Sequence, residues 1–409
     1  MIPVDEAIQM WLSVLSVLDT EDVPLRESYG RVAAAPVVFP QDTPAFSNSS
    51  MDGFAIRHED LSLGSLKVAG EVAAGQVCNV ELQPGEAIRI MTGAPIPSGA
   101  DTVVRVEDVN ETRDQIIIVK PPKPGESIRP AGDDAKQGAI IVKEGSVIGA
   151  GELASLASAG ILRLRAYRRP RVALLTTGDE VVPPEETPAP GQIRDSSLIL
   201  LSRLYQRRGA VLSHASHVGD GLNQTRSWLE SVFNPSQAQP ADLAVTTGGV
   251  SMGRYDLVRA ALQEAGFSEI FWRVRQKPGK PILTAYREGR QNAYACGLPG
   301  NPISALVGSL LYVIPALDRL EGRKTPSLPW LRAKLMESPV EAGTRTAYIT
   351  ARLTSSRGGV EVCPIPRQGS HRLSTLIGVN ALIRVESQTR IEVGEEVPVL
   401  LWGDLQAGG

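Results

Sequence analysis

Cysteine is scarce: Cys78, Cys296 and Cys363 are the only three in 409 residues. Thiols so few and so scattered exclude a disulfide framework and a CxxC zinc site, and a reducing, cytoplasmic compartment fits them best. Aromatics make up 5% of the chain, too little for platforms that stack nucleic-acid bases. Charge of one sign is also missing. With 45 acidic against 42 basic residues, the net charge of −3 argues against a nucleic-acid or membrane-surface binder. The opening MIPVDEAIQMWLSVL lacks the basic start and small-residue cleavage site of a signal peptide. No apolar run spans a bilayer; the longest, Ile303 to Leu317, is interrupted by Gly308 and Pro315 and predicts a buried helix. No P-loop and no G-x-G-x-x-G after a strand occurs, so nucleoside-triphosphate and dinucleotide folds lack support.

What remains is an ordinary globular composition, 42% hydrophobic and 21% charged, long enough for roughly two to four domains. Thirty-nine glycines and 30 prolines predict many turns. Residues 3–19 have helical apolar spacing. Residues 47–145 hold short β-rich runs between Gly/Pro turns, and SVIGAGELASLASAG (146–160) is helical again. The β-rich segment therefore reads as an insertion between helical pieces that belong together. From Arg171 onward strands alternate with helices, which implies a doubly wound, mainly parallel sheet. Beyond the linker GRKTPSLPW only short strands are expected. The domains expected are helical, 1–46 with 146–168; inserted β-rich, 47–145; α/β, 169–322; and C-terminal β, 323–409.

Three predicted strands of the α/β segment each end in a glycine loop: LLTTGDE, AVTTGGVSMG and ACGLPGNP. In open α/β sheets ligands bind beyond the carboxyl ends of the strands, where glycines admit a ligand to backbone N–H groups. Acids sit beside these loops. Asp179, Glu180, Asp220 and Asp256 suit a cation shared with a phosphate, whereas Asp195 suits helix capping equally well. In WRVRQKPGKP, two prolines and a glycine fix the backbone around Lys277 and Lys280, which aims them at an oxyanion. SNSSMDGFAI, IMTGAPIPSGAD and SIRPAGDDAKQG are turn-forming strings of the β-rich segment. His58, His214 and His217 lack the spacing of a metal site. Gly249-Val250-Ser251-Met252-Gly253 satisfies G-x-S-x-G, the turn of a serine hydrolase. That reading would need His371 and the late acid Asp404, an order that departs from Ser…Asp…His.

Taken together, SNSSMDGFA, MTGAPIPSGADTVV, RPAGDD, LLTTGDEV, TTGGVSMG, KPGKP, GLPGNPIS and QGSH, in this order, resemble the molybdopterin molybdenumtransferase family, MoeA and the gephyrin E domain. The resemblance covers essentially the whole chain. It implies a doubly wound MogA-like α/β domain, an inserted β-rich domain, a small helical domain and a β-barrel-like C-terminal domain, assembled as a homodimer. It also implies insertion of molybdate into adenylylated molybdopterin with release of AMP, helped by Mg²⁺ or Zn²⁺, and a molybdopterin adenylyltransferase as a possible partner.

The resemblance carries roles onto residues. Asp52, Thr92, Arg129 and Asp134 match polar positions of the β-rich domain at the cleft, Asp52 across the dimer. Glu180, Asp220 and Asp256 match acids linked to pterin nucleotide and metal, with Glu180 and Asp256 as metal ligands. Gly178, Gly248, Gly249 and Ser251 belong to the phosphate loops. Lys277, Lys280, Ser304 and Ser370 match the molybdate pocket, and lysines with hydroxyls suit a tetrahedral dianion. Pro299 and Pro302 hold the loop shape. Some positions depart from the family: Arg254 stands for an acid, Gly221 for the second of paired acids, Arg273 for a lysine. TRTAYIT places Ala347 and Thr350 where an acid and a second arginine are usual, with Arg352 two residues on as a stand-in. These departures keep open a tungstate-preferring paralogue, or a non-catalytic scaffold like animal relatives that organise partner proteins.

Overall fold

The computed structural model describes residues 1–76, 80–250, 257–287, 293–356 and 358–407. The chain up to Tyr167 is a set of nested antiparallel pairs. Thr20–Pro24 lies beside Arg163–Tyr167, Val37–Val38 beside Ile140–Val142, and Asn48–Ser49 beside Ile128–Arg129. Each pair brings the chain back toward its starting point. The innermost stretch forms a six-stranded sheet in the order Thr102–Arg105, Gly53–Ile56, Glu86–Ile90, Ser65–Val72, Gln115–Ile118, Val109–Glu111. Both faces of Gly53–Ile56 are covered. Phe54 and Ile56 pack into one small core and Ala55 into the other, as the two-residue period of a strand requires.

The two helices that flank this β-rich region do not share a core. Ala150–Ser158 buries Leu156 against Ala33, Val142, Ile148 and Leu164. The opening helix Val4–Val14 instead sends Ala7 and Trp11 into the main core of the α/β region. There Trp11 Nε1 donates to the Tyr312 carbonyl at 3.0 Å. Large apolar groups at Trp11 and Leu15 need a large partner surface, and the small core around Leu156 cannot offer it. The opening helix thus packs on the α/β core while the rest of 1–46 pairs with the strands around 140–167.

The α/β sheet runs Val211–Val218, Arg171–Thr177, Leu243–Thr247, Tyr294–Leu298, Leu283–Arg287, Phe267–Trp272. The first four strands are mutually parallel and the last two antiparallel. Leu243–Thr247 and Tyr294–Leu298 are buried throughout, the pattern of strands covered on both faces. Behind them lies the helical run Pro302–Leu320. It is long and apolar enough to cross a bilayer by length and composition, yet 94% of its most apolar window is buried inside the protein. It is the core helix, three residues longer at its end than the Ile303 to Leu317 run predicted.

At the C-terminus, Thr346–Ser356, Gly359–Pro364, Trp330–Leu335, Glu396–Leu401 and Ala381–Val385 pair in succession. Ala381–Val385 closes back on Thr346–Ser356, completing a five-stranded barrel around Leu335, Leu353, Val362, Ile383 and Val397. The α/β region lends this barrel a short strand: Gln276–Lys277 lies parallel to Thr346–Ala347.

Candidate functional site

Strands Arg171–Thr177, Leu243–Thr247 and Tyr294–Leu298 are neighbours, so the three glycine turns emerge side by side. Thr177 Oγ1 donates to the Thr247 carbonyl at 3.2 Å, and Gly248 N to the Leu298 carbonyl at 3.0 Å. Gly248 adopts φ +91°, and a Cβ there would lie 2.4 Å from Thr177 Oγ1. Only glycine fits so close a crossing of two loops.

In front of these turns, between the α/β sheet and the barrel, opens a cleft of about 580 Å³. Of the sequence-predicted residues, Gly249, Lys277, Pro299, Ser304 and Ser370 line it. Glu341, Arg345 and Gln368 line it as well and had not been singled out from sequence. Arg345 had a signal, since it is the arginine of the TRTAYIT string; Glu341 and Gln368 had none. The cleft thus gathers an ammonium, a guanidinium and two serine hydroxyls, with Tyr348 also in its lining, and Glu341 is turned toward Arg390 at 3.4 Å.

The barrel side of the cleft is locked to the α/β side. Asn301 Nδ2 donates to Ser370 Oγ at 3.3 Å, and Ile303 N donates to the Ser370 carbonyl at 3.2 Å. Gln368 Oε1 accepts from the N and Oγ1 of Thr350, while Nε2 donates to the Thr350 and Ile365 carbonyls. Thr350, where the resemblance expected an arginine, is thereby built into the frame.

Other predicted residues lie elsewhere. Lys280 does not line the cleft; its carbonyl accepts from Val274 N at 3.0 Å in the turn behind it. Arg273 holds φ +74° and lays its guanidinium over the Trp272 ring, 3.6 Å from the centroid. Trp272 Nε1 in turn donates to the Val250 carbonyl at 3.2 Å, so Arg273 bears on the cleft wall through the indole. Arg352 is exposed on the barrel beside Cys363 and cannot replace an arginine at Thr350. Alternation along the strand does hold, with Ala347, Ala351 and Leu353 facing the barrel core and Thr350 and Arg352 on the opposite face; Thr350 is covered there whereas Arg352, one pair further along, is exposed. Pro302 is the first residue of the core helix and does not line the cleft.

Glu180 curls back over Gly178, next to Asp179 and Asp220. Asp179 Oδ1 accepts from Asp220 N at 2.9 Å. Partial burial, then the charges of Asp179 and Glu180, push the Asp220 carboxyl above its ordinary range. None of these acids lines the cleft, and the described residues contain no group of three or more His, Cys, Asp or Glu placed to hold a metal. Ser251 and Asp256, with Arg254, lie outside the described residues.

Asp195 is buried, accepting from Thr176 Oγ1 at 2.5 Å and capping Leu198 N at 2.9 Å; of its two readings, capping is the one observed. Of the residues the hydrolase reading would need, Ser251 lies outside the described residues. Asp404 is held by Arg207, and His371 sits in the exposed turn after Ser370.

In the β-rich region, Asp52 Oδ1 accepts from Thr92 N at 2.7 Å and Thr92 Oγ1 at 2.8 Å. Those two bonds hold its carboxyl below the usual range. Arg129 is exposed at the end of the Ile128–Arg129 strand, and exposed Asp134 donates its N–H to the Thr43 carbonyl at 3.0 Å. No described residue of 47–145 lines the cleft of the same chain.

Three family models match the chain in order. They are the MoeA N-terminal region (domain I and II) over residues 2–160, a "Probable molybdopterin binding domain" over 173–319, and the MoeA C-terminal region (domain IV) over 332–402. A molybdopterin molybdenumtransferase of Haemophilus influenzae is 34% identical over 98% of both chains. One of Nostoc is 35% identical over 93% of this chain and 88% of its own. A solved structure of a molybdopterin biosynthesis MoeA protein from Pyrococcus horikoshii superposes with a TM-score of 0.82 at 28% identity, covering 98% of this chain and all of that one.

Proposed function

The chain belongs to the MoeA family of molybdopterin molybdenumtransferases, and from that footing we propose how its cleft works. The chain is a transferase of molybdenum cofactor biosynthesis that inserts molybdenum into molybdopterin. The observation that carries the site reading is the convergence of Lys277, Arg345, Ser304 and Ser370 on one cleft beside the glycine turns.

Molybdate is a tetrahedral dianion, and charge-assisted hydrogen bonds to oxyanions are the strong ones. The Lys277 ammonium and Arg345 guanidinium supply charge, and the serine hydroxyls supply directed donors. The volume exceeds what the oxyanion alone needs, which leaves room for the dithiolene end of an adenylylated pterin against Gly249 and Pro299. Holding both reactants at one place turns a bimolecular encounter into a local step, with AMP as the released product. The protein forms no covalent intermediate in this reading.

The resemblance also supplies a divalent cation, Mg²⁺ or Zn²⁺, on Glu180 and Asp256. The described residues do not provide a complete ligand set for it, so no step is routed through that ion. A homodimer, in which Asp52, Thr92, Arg129 and Asp134 complete a neighbouring cleft, belongs to the same proposal, as do a cytoplasmic setting and delivery of the pterin by an adenylyltransferase. Complementation tests the function. Expression in a bacterial strain lacking its own molybdenumtransferase should restore nitrate reductase activity at low molybdate. No rescue by a well-expressed protein would favour the scaffold or tungstate readings.

A further inference from the structure

The core helix is not regular. Pro302–Gly308 and Ile314–Leu320 are α-helical, but Ser309–Val313 between them is a π turn in which Ile314 N donates to the Ser309 carbonyl, five residues back. Pro315 explains the widening. It has no N–H to give the Leu311 carbonyl, and its ring crowds that oxygen. Such π turns recur at functional sites, and this one carries Tyr312.

Tyr312 is fully buried, and its hydroxyl donates to Gln276 Oε1 at 2.6 Å. Gln276 is also fully buried. Its Nε2 donates to the Pro278 carbonyl at 3.2 Å, and its backbone carbonyl accepts from Arg345 Nη1 at 3.1 Å. Gly279, at φ +83°, turns the chain so closely over this amide that an added Cβ would stand 3.0 Å from Nε2. A buried amide is costly unless its bonds are made, so Gln276 has little freedom. It grips the turn that follows Lys277, receives the arginine of the opposite wall, and is itself oriented from the core helix.

We infer that Gln276, oriented by the Tyr312 hydroxyl, is a positioning residue that sets the Lys277 ammonium and the Arg345 guanidinium at the spacing needed to grip one oxyanion. This rests on the molybdate reading of the cleft. Neither residue lies in the motifs that carry the family resemblance; Gln276 merely precedes KPGKP, and Tyr312 reads as an ordinary core aromatic.

The test uses the full chain and two variants, Tyr312→Phe, which removes a single oxygen, and Gln276→Leu, which keeps the volume. Calorimetric titration with sodium molybdate and amide hydrogen exchange over residues 276–282 and 345–349 are read side by side. Both variants should bind molybdate about tenfold more weakly, as expected when one buried hydrogen bond that holds a charged site is lost. Exchange should quicken in those two segments and stay unchanged in the sheet. In turnover, the molybdate concentration for half-maximal rate should rise while kcat moves less than about twofold. Unchanged exchange in both segments would overturn the inference, as would quickened exchange with unchanged molybdate affinity. Wild-type protein that binds no molybdate would instead defeat the reading of the cleft, and the exchange data alone would then decide whether Tyr312 and Gln276 order the two walls.

Discussion

Asn301 Nδ2 donates to Ser370 Oγ at 3.3 Å, and that contact joins a loop of the α/β sheet to a loop of the barrel. One lobe supplies Lys277 and Ser304 to the cleft and the other Arg345 and Ser370, so the site exists only while the two lobes are held together. Ser370→Ala removes a donor to the oxyanion as well as this tie. It should weaken molybdate binding at least tenfold, since a hydrogen bond to a charged group contributes about 1.5–3 kcal/mol. Asn301→Ala loses the tie alone and should cost less. Calorimetry on the two variants checks the order; equal losses would mean that Ser370 acts only as a brace.

The two lysines of KPGKP should separate sharply. Lys277 lines the cleft and Lys280 does not. Lys277→Met should reduce molybdate affinity by about 100-fold, the scale of a charge-assisted contact, whereas Lys280→Met should change it by less than about threefold. A larger loss at Lys280 would show that the cleft extends behind the turn.

Much of this arrangement was legible in the sequence, for reasons that can be named. Three glycine turns after buried strands had to come out on one edge of a parallel sheet, and they do. The β-rich insertion and the all-strand C-terminal segment follow from short runs between turn residues, whereas closure of the latter into a barrel was an expectation of the resemblance alone. Two things were not legible. Where Trp11 packs depends on which core is large enough to take it, a property of the whole fold. Gln276 and Tyr312 matter through a hydrogen bond between residues 36 apart in sequence, and nothing local marks either one. Arg352 shows a different limit: the two-residue offset does put it on the face of Thr350, but only the position of Thr350 is covered by neighbouring chain, and Arg352 stands exposed beyond it.

Asp52 offers a pH test in the β-rich region. Its carboxyl is held down by the Thr92 backbone N–H first and the Thr92 hydroxyl second. A lowered folded value means that this contact stabilises the protein above the ordinary carboxyl range and loses its effect as pH falls through the folded value. Thr92→Val deletes the hydroxyl and keeps the backbone donor. The Asp52 carboxyl, followed by NMR, should then titrate at higher pH than in the wild type, still below the ordinary 3.8. An unmoved titration would mean that the hydroxyl contributes nothing.

Glu321 behaves in the opposite sense. It is buried at the end of the core helix, with Oε1 unpartnered and Oε2 accepting from Arg323. Burial pushes its carboxyl up to about 7 from 4.5, against the pull of Arg323. Between those values the folded protein keeps a proton that the unfolded chain has released, so stability declines as pH rises through the window. Glu321→Gln should therefore raise the thermal midpoint relative to wild type at pH 8 more than at pH 5, by a difference on the order of 3 kcal/mol in stability. Parallel melting curves at the two pH values, with no change in the gap, would contradict this assignment.

The position of the oxyanion decides between a molybdate cleft and an unrelated groove. Crystals of the full chain soaked in molybdate or tungstate, with data collected at the absorption edge of the metal, would locate it directly. An anomalous peak about 4 Å from Lys277 Nζ and the hydroxyls of Ser304 and Ser370, which puts the oxo groups of the anion within hydrogen-bonding distance of those donors, is the result predicted. A metal peak only at the acids around Glu180 and Asp220, or none in the cleft at saturating anion, would contradict it.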